Sequence, residues 1–163
     1  MHMAARIRQV QDTLGRRILI ENISRYFTYN VHQLSEGEFL AAVCEQADCG
    51  LLLDLNNAYV NQCNLGEDLN EFVNSLPLQR IGEVHLAGYS LVDGQLIDTH
   101  SSAPCEAVWD YYRSFCELCP DIPCLIEWDS NLPAMTELVV QQTRAQQIMN
   151  STVQGATALG RTA

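Results

Sequence analysis

From Ile18 onward the chain alternates short, continuous apolar runs with stretches whose apolar residues recur at helical spacing. Met3, Ile7, Val10 and Leu14 fall on one stripe of a helix over residues 3–14, and Gly15 is a stop signal. Ile18 to Ile23 then reads as a buried strand. Ser35-Glu36-Gly37-Glu38 is a capping box: Ser35 accepts from an amide three residues on while Glu38 reaches back. It opens a helix over Phe39, Leu40, Val43 and Cys44 that closes near Gly50. Leu51 to Asn57 is the second strand, followed by an aromatic, Asn-rich loop. Asp68 to Leu76 is a short helix with Leu69, Phe72, Val73 and Leu76 inward, stopped by Pro77. The third strand centres on Val84, and Glu106 to Cys119 is helical through Val108, Tyr111, Tyr112 and Phe115. Cys124 to Asp129 is the fourth strand. Pro133 suits the first turn of a final helix carrying Met135, Leu138, Val139, Ile148 and Met149. The small and polar residues from Ser151 onward predict a frayed tail.

Continuous apolar strands alternating with helices predict an α/β fold, a parallel sheet covered by helices. Residues 1–149 form that unit, and 150–163 are expected to be a flexible tail. The strands recur about every 30 to 40 residues, the spacing of βαβ units. Glu21, Asp54, His85 and Glu127 each end a strand, and in an α/β barrel or open sheet those ends lie on one side, where active sites form.

Composition narrows the chemistry. The 163 residues are 47% hydrophobic and 18% charged, with a net charge of −11, nine Arg and no Lys. Nothing basic is clustered enough to track a phosphate backbone, so nucleic acid is excluded as a partner. No apolar run of about 18 residues and no signal-peptide pattern is present, so no membrane span is expected and a cytoplasmic location is. The seven cysteines read as reduced, packed thiols. Cys116 and Cys119 lie on a helix face, with no second CxxC to complete a zinc site.

Carboxylates converging from several strand ends repel one another unless a cation neutralises them. With no Lys and few Arg near these positions, a metal is the natural neutraliser. Carboxylate mixed with imidazole suits Fe, Mn or Zn, and no cysteine at the strand ends argues for a soft thiolate site. Asp98 and His100, two apart, face one side if that segment is extended. Tyr89, Trp128 and Asp129 are candidate pocket residues, and His32 reads as a surface histidine of the loop after the first strand.

At these residues a resemblance becomes specific. Ile20-Glu21-Asn22-Ile23-Ser24, Leu52-Leu53-Asp54-Leu55-Asn56-Asn57-Ala58-Tyr59-Val60, Gly82-Glu83-Val84-His85-Leu86-Ala87-Gly88, Ile97-Asp98-Thr99-His100 and Leu125-Ile126-Glu127-Trp128-Asp129 resemble, in order, the motifs of the DUF692 or UPF0276 family. These are the multinuclear non-haem iron-dependent oxidases, methanobactin-biosynthesis enzymes among them. The resemblance implies a (β/α)8 TIM-type barrel related to the xylose isomerase-like metalloenzymes. It also implies two or three irons and the use of dioxygen to modify cysteine, or another residue, of a ribosomally made precursor peptide, with a partner protein presenting that peptide.

Carried over by motif, Glu21 is a bridging or terminal carboxylate ligand, Asp54 and Asn57 a ligand pair, and His85 an imidazole ligand. Asp98 and His100 bind a shared metal, and Glu127 is the carboxylate of the last strand. Related barrel nucleases place a histidine where this chain has Asn57, which favours the oxidases over zinc phosphodiesterases. A complete barrel takes about 250 residues, so the chain is expected to be the C-terminal half, strands five to eight, of a truncated gene. Its edges around Ile20 and Leu125 are expected to pair with another copy, collect a missing half, or aggregate. Two alternatives stand beside the oxidase: a Zn- or Mn-dependent hydrolase or isomerase on the same barrel, and an inactive interaction domain.

Overall fold

The computed structural model describes residues 2–28 and 33–159, with side chains through Thr152; His32 lies outside the described residues. Helix α1 (His2–Leu14) leads into strand β1 (Leu19–Glu21), and α2 (Glu36–Ala47), β2 (Gly50–Asp54), α3 (Leu55–Leu65), α4 (Leu69–Ser75) and β3 (Ile81–Leu86) follow. A hairpin of β4 (Ser90–Val92) and β5 (Gln95–Ile97) comes next, then α5 (Glu106–Leu118), β6 (Cys124–Ile126) and α6 (Met135–Leu159). Strands β1, β2, β3 and β6 make one sheet in that order, every neighbouring pair parallel. Four parallel strands covered by helices are the α/β architecture expected, compatible with part of a TIM-type barrel.

Strand side chains alternate between two faces. Leu51, Leu53, Val84 and Leu86 are completely buried against the helices, where Trp109 and Tyr112 of α5 and Val43 of α2 meet them. The opposite, inner face carries Leu19 and Glu21, Leu52 and Asp54, Glu83 and His85, and Leu125. Leu19 lies flat across its neighbours because two of them are glycines: a Cβ at Gly50 would fall 2.4 Å, and one at Gly82 3.0 Å, from Leu19 Cδ2. The sheet therefore turns a greasy face to the helices and a face with a polar upper row to the inside.

Several elements depart from the sequence reading. In α1 the buried positions are Ala4 and Ile7, while Met3, Val10 and Leu14 are exposed. Gln11 decides the rotation: its amide donates to the Ala47 carbonyl at 2.9 Å and accepts from the Ile18 amide at 3.1 Å. The expected Asn-rich loop is helix α3, begun directly at the strand end because the Asp54 carboxylate caps it, accepting from the Asn57 amide at 2.6 Å. The segment after β3 contains the β4–β5 hairpin, turning through Asp93 and Gly94 at positive φ. Pro133 precedes α6 rather than sitting in its first turn. That helix also continues through Ser151 to Leu159, where a frayed tail was expected: the Ser151 and Thr152 hydroxyls donate back to the Ile148 and Met149 carbonyls, at 2.7 and 2.8 Å, without breaking it.

Candidate metal centre

The inner-face polar row is set by register. Asp54 pairs with His85 across β2 and β3, and Glu21 closes β1 beside Leu52. Glu127 follows β6 directly, its amide extending the ladder to the Leu86 carbonyl at 2.9 Å. Ligand-capable atoms of Glu21, Asp54, His85 and Glu127 consequently lie within 4.8 Å of one another. His85 is held from both sides, Nδ1 at 2.9 Å from Glu127 Oε2 and Nε2 at 3.5 Å from Glu83 Oε1.

A second group shares Glu127. His100, Glu127 and Asp129 also bring one ligand atom each within 4.8 Å. His100 adopts the left-handed region at φ 45°, and its carbonyl accepts from the Asp129 amide at 2.7 Å, which fastens the loop after β5 to the segment after β6. Nδ1 of His100 is 3.2 Å from Asp129 Oδ2 and 3.4 Å from Glu127 Oε2. Nε2 approaches Asp98 Oδ1 to 2.7 Å yet counts among the buried atoms without an aligned hydrogen bond. Asp98 is itself oriented by Asn56, whose amide donates to Oδ1 at 2.7 Å, while its backbone N–H donates to the Tyr26 hydroxyl at 3.1 Å.

The electrostatics are those of a carboxylate cluster that, among the described residues, pairs with histidine and with no Arg. Arg25 is engaged elsewhere, by Glu36 at 2.8 Å and by Glu67. Burial pushes the Asp54 carboxyl up to about 7, with Asp98 and Glu21 adding to the rise and the Asn57 amide opposing it. Burial likewise raises Glu21, helped by Glu127 and Asp98. His100 is raised to about 9, chiefly by Asp98. Protons on Asp54 and His100 thus stand where a metal would otherwise supply positive charge, and binding a metal displaces them. One observation fits an ion here: Asp54 Oδ2 is buried with no partner, an acceptor left for a cation to meet.

The remaining candidates are placed differently. The Asn57 amide nitrogen donates to the Asn22 carbonyl at 3.1 Å, leaving its buried oxygen unpartnered. Tyr89 packs on Tyr59 of α3, with ring centroids 5.8 Å apart. Trp128 lies between Glu127 and Asp129, its indole nitrogen buried without a partner.

Residues not singled out from sequence hold the site in place. Asn22 clasps Asp54, Asn56 orients Asp98, and Asn61 accepts from the Arg25 amide at 2.6 Å while donating to the Ile23 carbonyl at 2.9 Å. For Asn61 the available signal was its position four residues after Asn57, on the same face of a helix; Asn22 and Asn56 carried none.

The family model described as the RiPP precursor modification enzyme MbnB/TglH/ChrH matches residues 1–150. A UPF0276 protein of Chromobacterium violaceum is 44% identical over 147 residues, covering 90% of this chain and 53% of that protein. One of Acaryochloris marina is 45% identical over 144 residues, covering 88% of this chain and 52% of its own length. One of Pseudomonas aeruginosa is 40% identical over 147 residues, with 90% and 51% covered. The chain spans about half the length of the curated relatives it matches.

Proposed function

The chain belongs to the MbnB/TglH/ChrH family of RiPP precursor modification enzymes, and from that membership we propose that it is part of an iron-dependent oxidase. The whole enzyme uses dioxygen to modify a cysteine, or another residue, of a ribosomally made precursor peptide that a partner protein presents. The observation that carries the reading is the convergence of Glu21, Asp54, His85 and Glu127 within 4.8 Å at one end of the sheet. Carboxylate with imidazole, and no thiolate, is a donor set for iron, with manganese and zinc as the other candidates.

Glu21, Asp54, His85 and Glu127 would hold one iron, and His100, Asp129 and Asp98 a second, with Glu127 belonging to both groups. When bound, iron would supply the site for dioxygen and for the substrate thiolate and carry the electrons lost by the peptide to dioxygen. The protein's part is positional. Glu83 and Glu127 fix the His85 ring, Asn56 fixes Asp98, and Asn22 fixes the backbone of Asp54. Asp54, whose burial makes it hold a proton far more readily than a free carboxyl, would give up that proton on loading. Asn57 would pair with Asp54 as a ligand through its buried, unpartnered oxygen, and Trp128 and Asp129, with Tyr89 farther along the same loop system, are the side chains for the peptide to meet. Among the described residues no helix is long and apolar enough to cross a membrane.

A zinc or manganese hydrolase or isomerase would use the same donors without oxygen, so oxygen uptake separates the two. After anaerobic iron loading, addition of a cysteine-bearing precursor peptide is expected to give oxygen consumption that stops on chelation. Peptide turnover at an unchanged rate without oxygen, or with zinc alone, would overturn the oxidase reading.

A further inference from the structure

Strands β4 and β5 form a two-stranded sheet of their own, apart from the four parallel strands. The two-residue turn Asp93-Gly94 joins them, both residues at positive φ, a connection that matches the twist of a hairpin. The register sets Ser90 opposite Ile97, Leu91 opposite Leu96 and Val92 opposite Gln95. From α3, the Asn64 side chain donates to the Leu96 carbonyl at 2.8 Å and accepts from the Leu96 amide at 3.0 Å. Both main-chain groups of Leu96 thus face away from β4, which makes Leu91 and Leu96 a non-hydrogen-bonded pair. Leu91 must then turn its own N–H and C=O away from β5. Among the described residues nothing meets them.

The two edges of the hairpin are therefore unequal. On the β5 side Asn64 imitates a strand residue, offering Leu96 one acceptor and one donor. On the β4 side the equivalent pair of groups stands open, in a strand with no charge or proline to discourage pairing. Leu91 is 68% and Val92 50% exposed, and because neighbouring strand residues point to opposite faces, the open edge is apolar on both. Three residues give room for one residue's pair of main-chain bonds and a side-chain contact on each face.

The hairpin is also tied to the metal centre. Asp98 follows β5 directly, and His100 lies two residues on. The Ser90 hydroxyl is 2.9 Å from that of Thr99 and 3.1 Å from that of Ser101, which fastens the start of β4 to the residues on either side of His100. With strands about 4.8 Å apart and residues about 3.3 Å apart along them, the place beside Leu91 lies roughly 12 Å from Asp98, a span that about four extended residues cover.

We propose that the β4 edge is a docking strand for the precursor peptide: an extended segment pairs with both main-chain groups of Leu91, packs on Leu91 and Val92, and sets the residue to be modified about four positions away, at the metal centre. The precursor as occupant rests on the peptide-modifying function proposed for the whole enzyme. An extended peptide fits because the edge offers main-chain bonds and shallow apolar contacts in place of a shaped pocket. The net charge of −11 favours a segment that carries basic residues.

The test is run in chelator, so that docking is read apart from oxidation. Isotope-labelled protein is titrated, by NMR, with the synthetic peptide acetyl-Arg-Thr-Val-Thr-Val-Thr-Cys-Gly-Arg-amide and with a copy N-methylated at Val-Thr-Val. The unmodified peptide is expected to shift the resonances of residues 90–92 most and to slow exchange of the Leu91 amide at least tenfold. The methylated copy is expected to bind at least tenfold more weakly. Leu91→Pro removes the outward donor and spares the hairpin's own ladder, which runs through Ser90 and Val92, so it is expected to weaken binding at least tenfold as well. Equal binding of the two peptides, shifts centred away from the hairpin, or no binding at millimolar peptide would overturn the proposal. So would a peptide-free species of twice the 18.3 kDa chain mass in which the Leu91 amide is already protected. Docking as expected, followed by no oxygen uptake once iron is loaded, would uphold the docking strand and count against the oxidase alone.

Discussion

Asn22 and Asp54 clasp each other across the end of the sheet: the Asn22 side chain accepts from the Asp54 amide and donates to the Asp54 carbonyl, each at 2.9 Å. The side chain of one residue thereby acts as a further strand residue for the other. It settles the backbone at the point where β2 becomes α3 and where a carboxylate must point inward.

Replacing Asn22 with Ala leaves the Asp54 N–H buried and unpaired, while the Asp54 C=O, at the N-cap of α3, keeps the helix as its partner. At about 1–3 kcal/mol for an orphaned buried group, Asn22→Ala is expected to lower stability by about 1–3 kcal/mol in urea unfolding followed by circular dichroism. An effect below about 0.5 kcal/mol would mean that the clasp does not support the site.

The Asp54 carboxyl is raised from 3.8 to about 7, so the folded state holds a proton that the unfolded chain releases. Stability of the metal-free protein is therefore expected to fall as pH rises from about 4 to about 7, by an amount on the order of a few kcal/mol. Asp54→Asn is expected to remove this slope. A saturating divalent metal is expected to reverse it, because the ion favours the carboxylate form. Thermal midpoints at several pH values, with and without metal, decide the matter.

His100 has the opposite charge type and a higher window. Raised from 6.5 to about 9 by Asp98, it contributes stability that is fully present below about 6.5 and lost as pH climbs through 9. His100→Gln is expected to flatten the metal-free profile between those values while leaving the Asp54 segment intact. A profile unchanged in the upper window would show that the His100–Asp98 approach holds no proton.

Gly88 follows β3 where the chain passes under the loop that carries His100. A Cβ there would fall 2.3 Å from the Ser102 carbonyl oxygen and 2.6 Å from that of Ala103. Backbone cannot step aside as a side-chain tip can, so Gly88→Ala is expected to cost about 1–3 kcal/mol. It should weaken metal binding at the His100 group more than at the His85 group. Competition titrations of Gly88→Ala and His85→Ala against the same chelator compare the two losses.

The resemblance of the strand motifs to the UPF0276 family is borne out by the family match and by the relatives. The parallel sheet was legible because each strand is an unbroken apolar run and each run stops at a polar residue. Glu21, Asp54, His85 and Glu127 could be read as sharing one rim for that reason alone. The capping box formed as read, with Glu38 accepting from the Ser35 amide at 2.8 Å and the Ser35 hydroxyl accepting from the Glu38 amide. Helix α3 was missed because half of its buried residues are asparagines, Asn56, Asn57 and Asn61 beside Leu55, Ala58 and Val60, which periodicity read through apolar residues does not register. The face of α1 was misread because Gln11, a polar residue with two backbone partners, outweighed Val10. The hairpin carries its Asp93-Gly94 turn openly, but its strands are only three residues each. Nothing in the local pattern tells that Asn56 will reach Asp98 forty-two positions away; that contact exists only once the sheet has formed.

The central claim is that acidic and imidazole groups at the strand ends gather around a cation, and iron retention tests it most directly. The protein is loaded with ferrous iron under anaerobic conditions, desalted and analysed for iron per chain, beside the His85→Ala/Glu127→Gln double substitution. The account predicts at least one iron retained by the native chain and a loss of a hundredfold or more in affinity in the double variant, with both proteins equally folded. A native chain that retains no iron, or a double variant that retains as much, would contradict it.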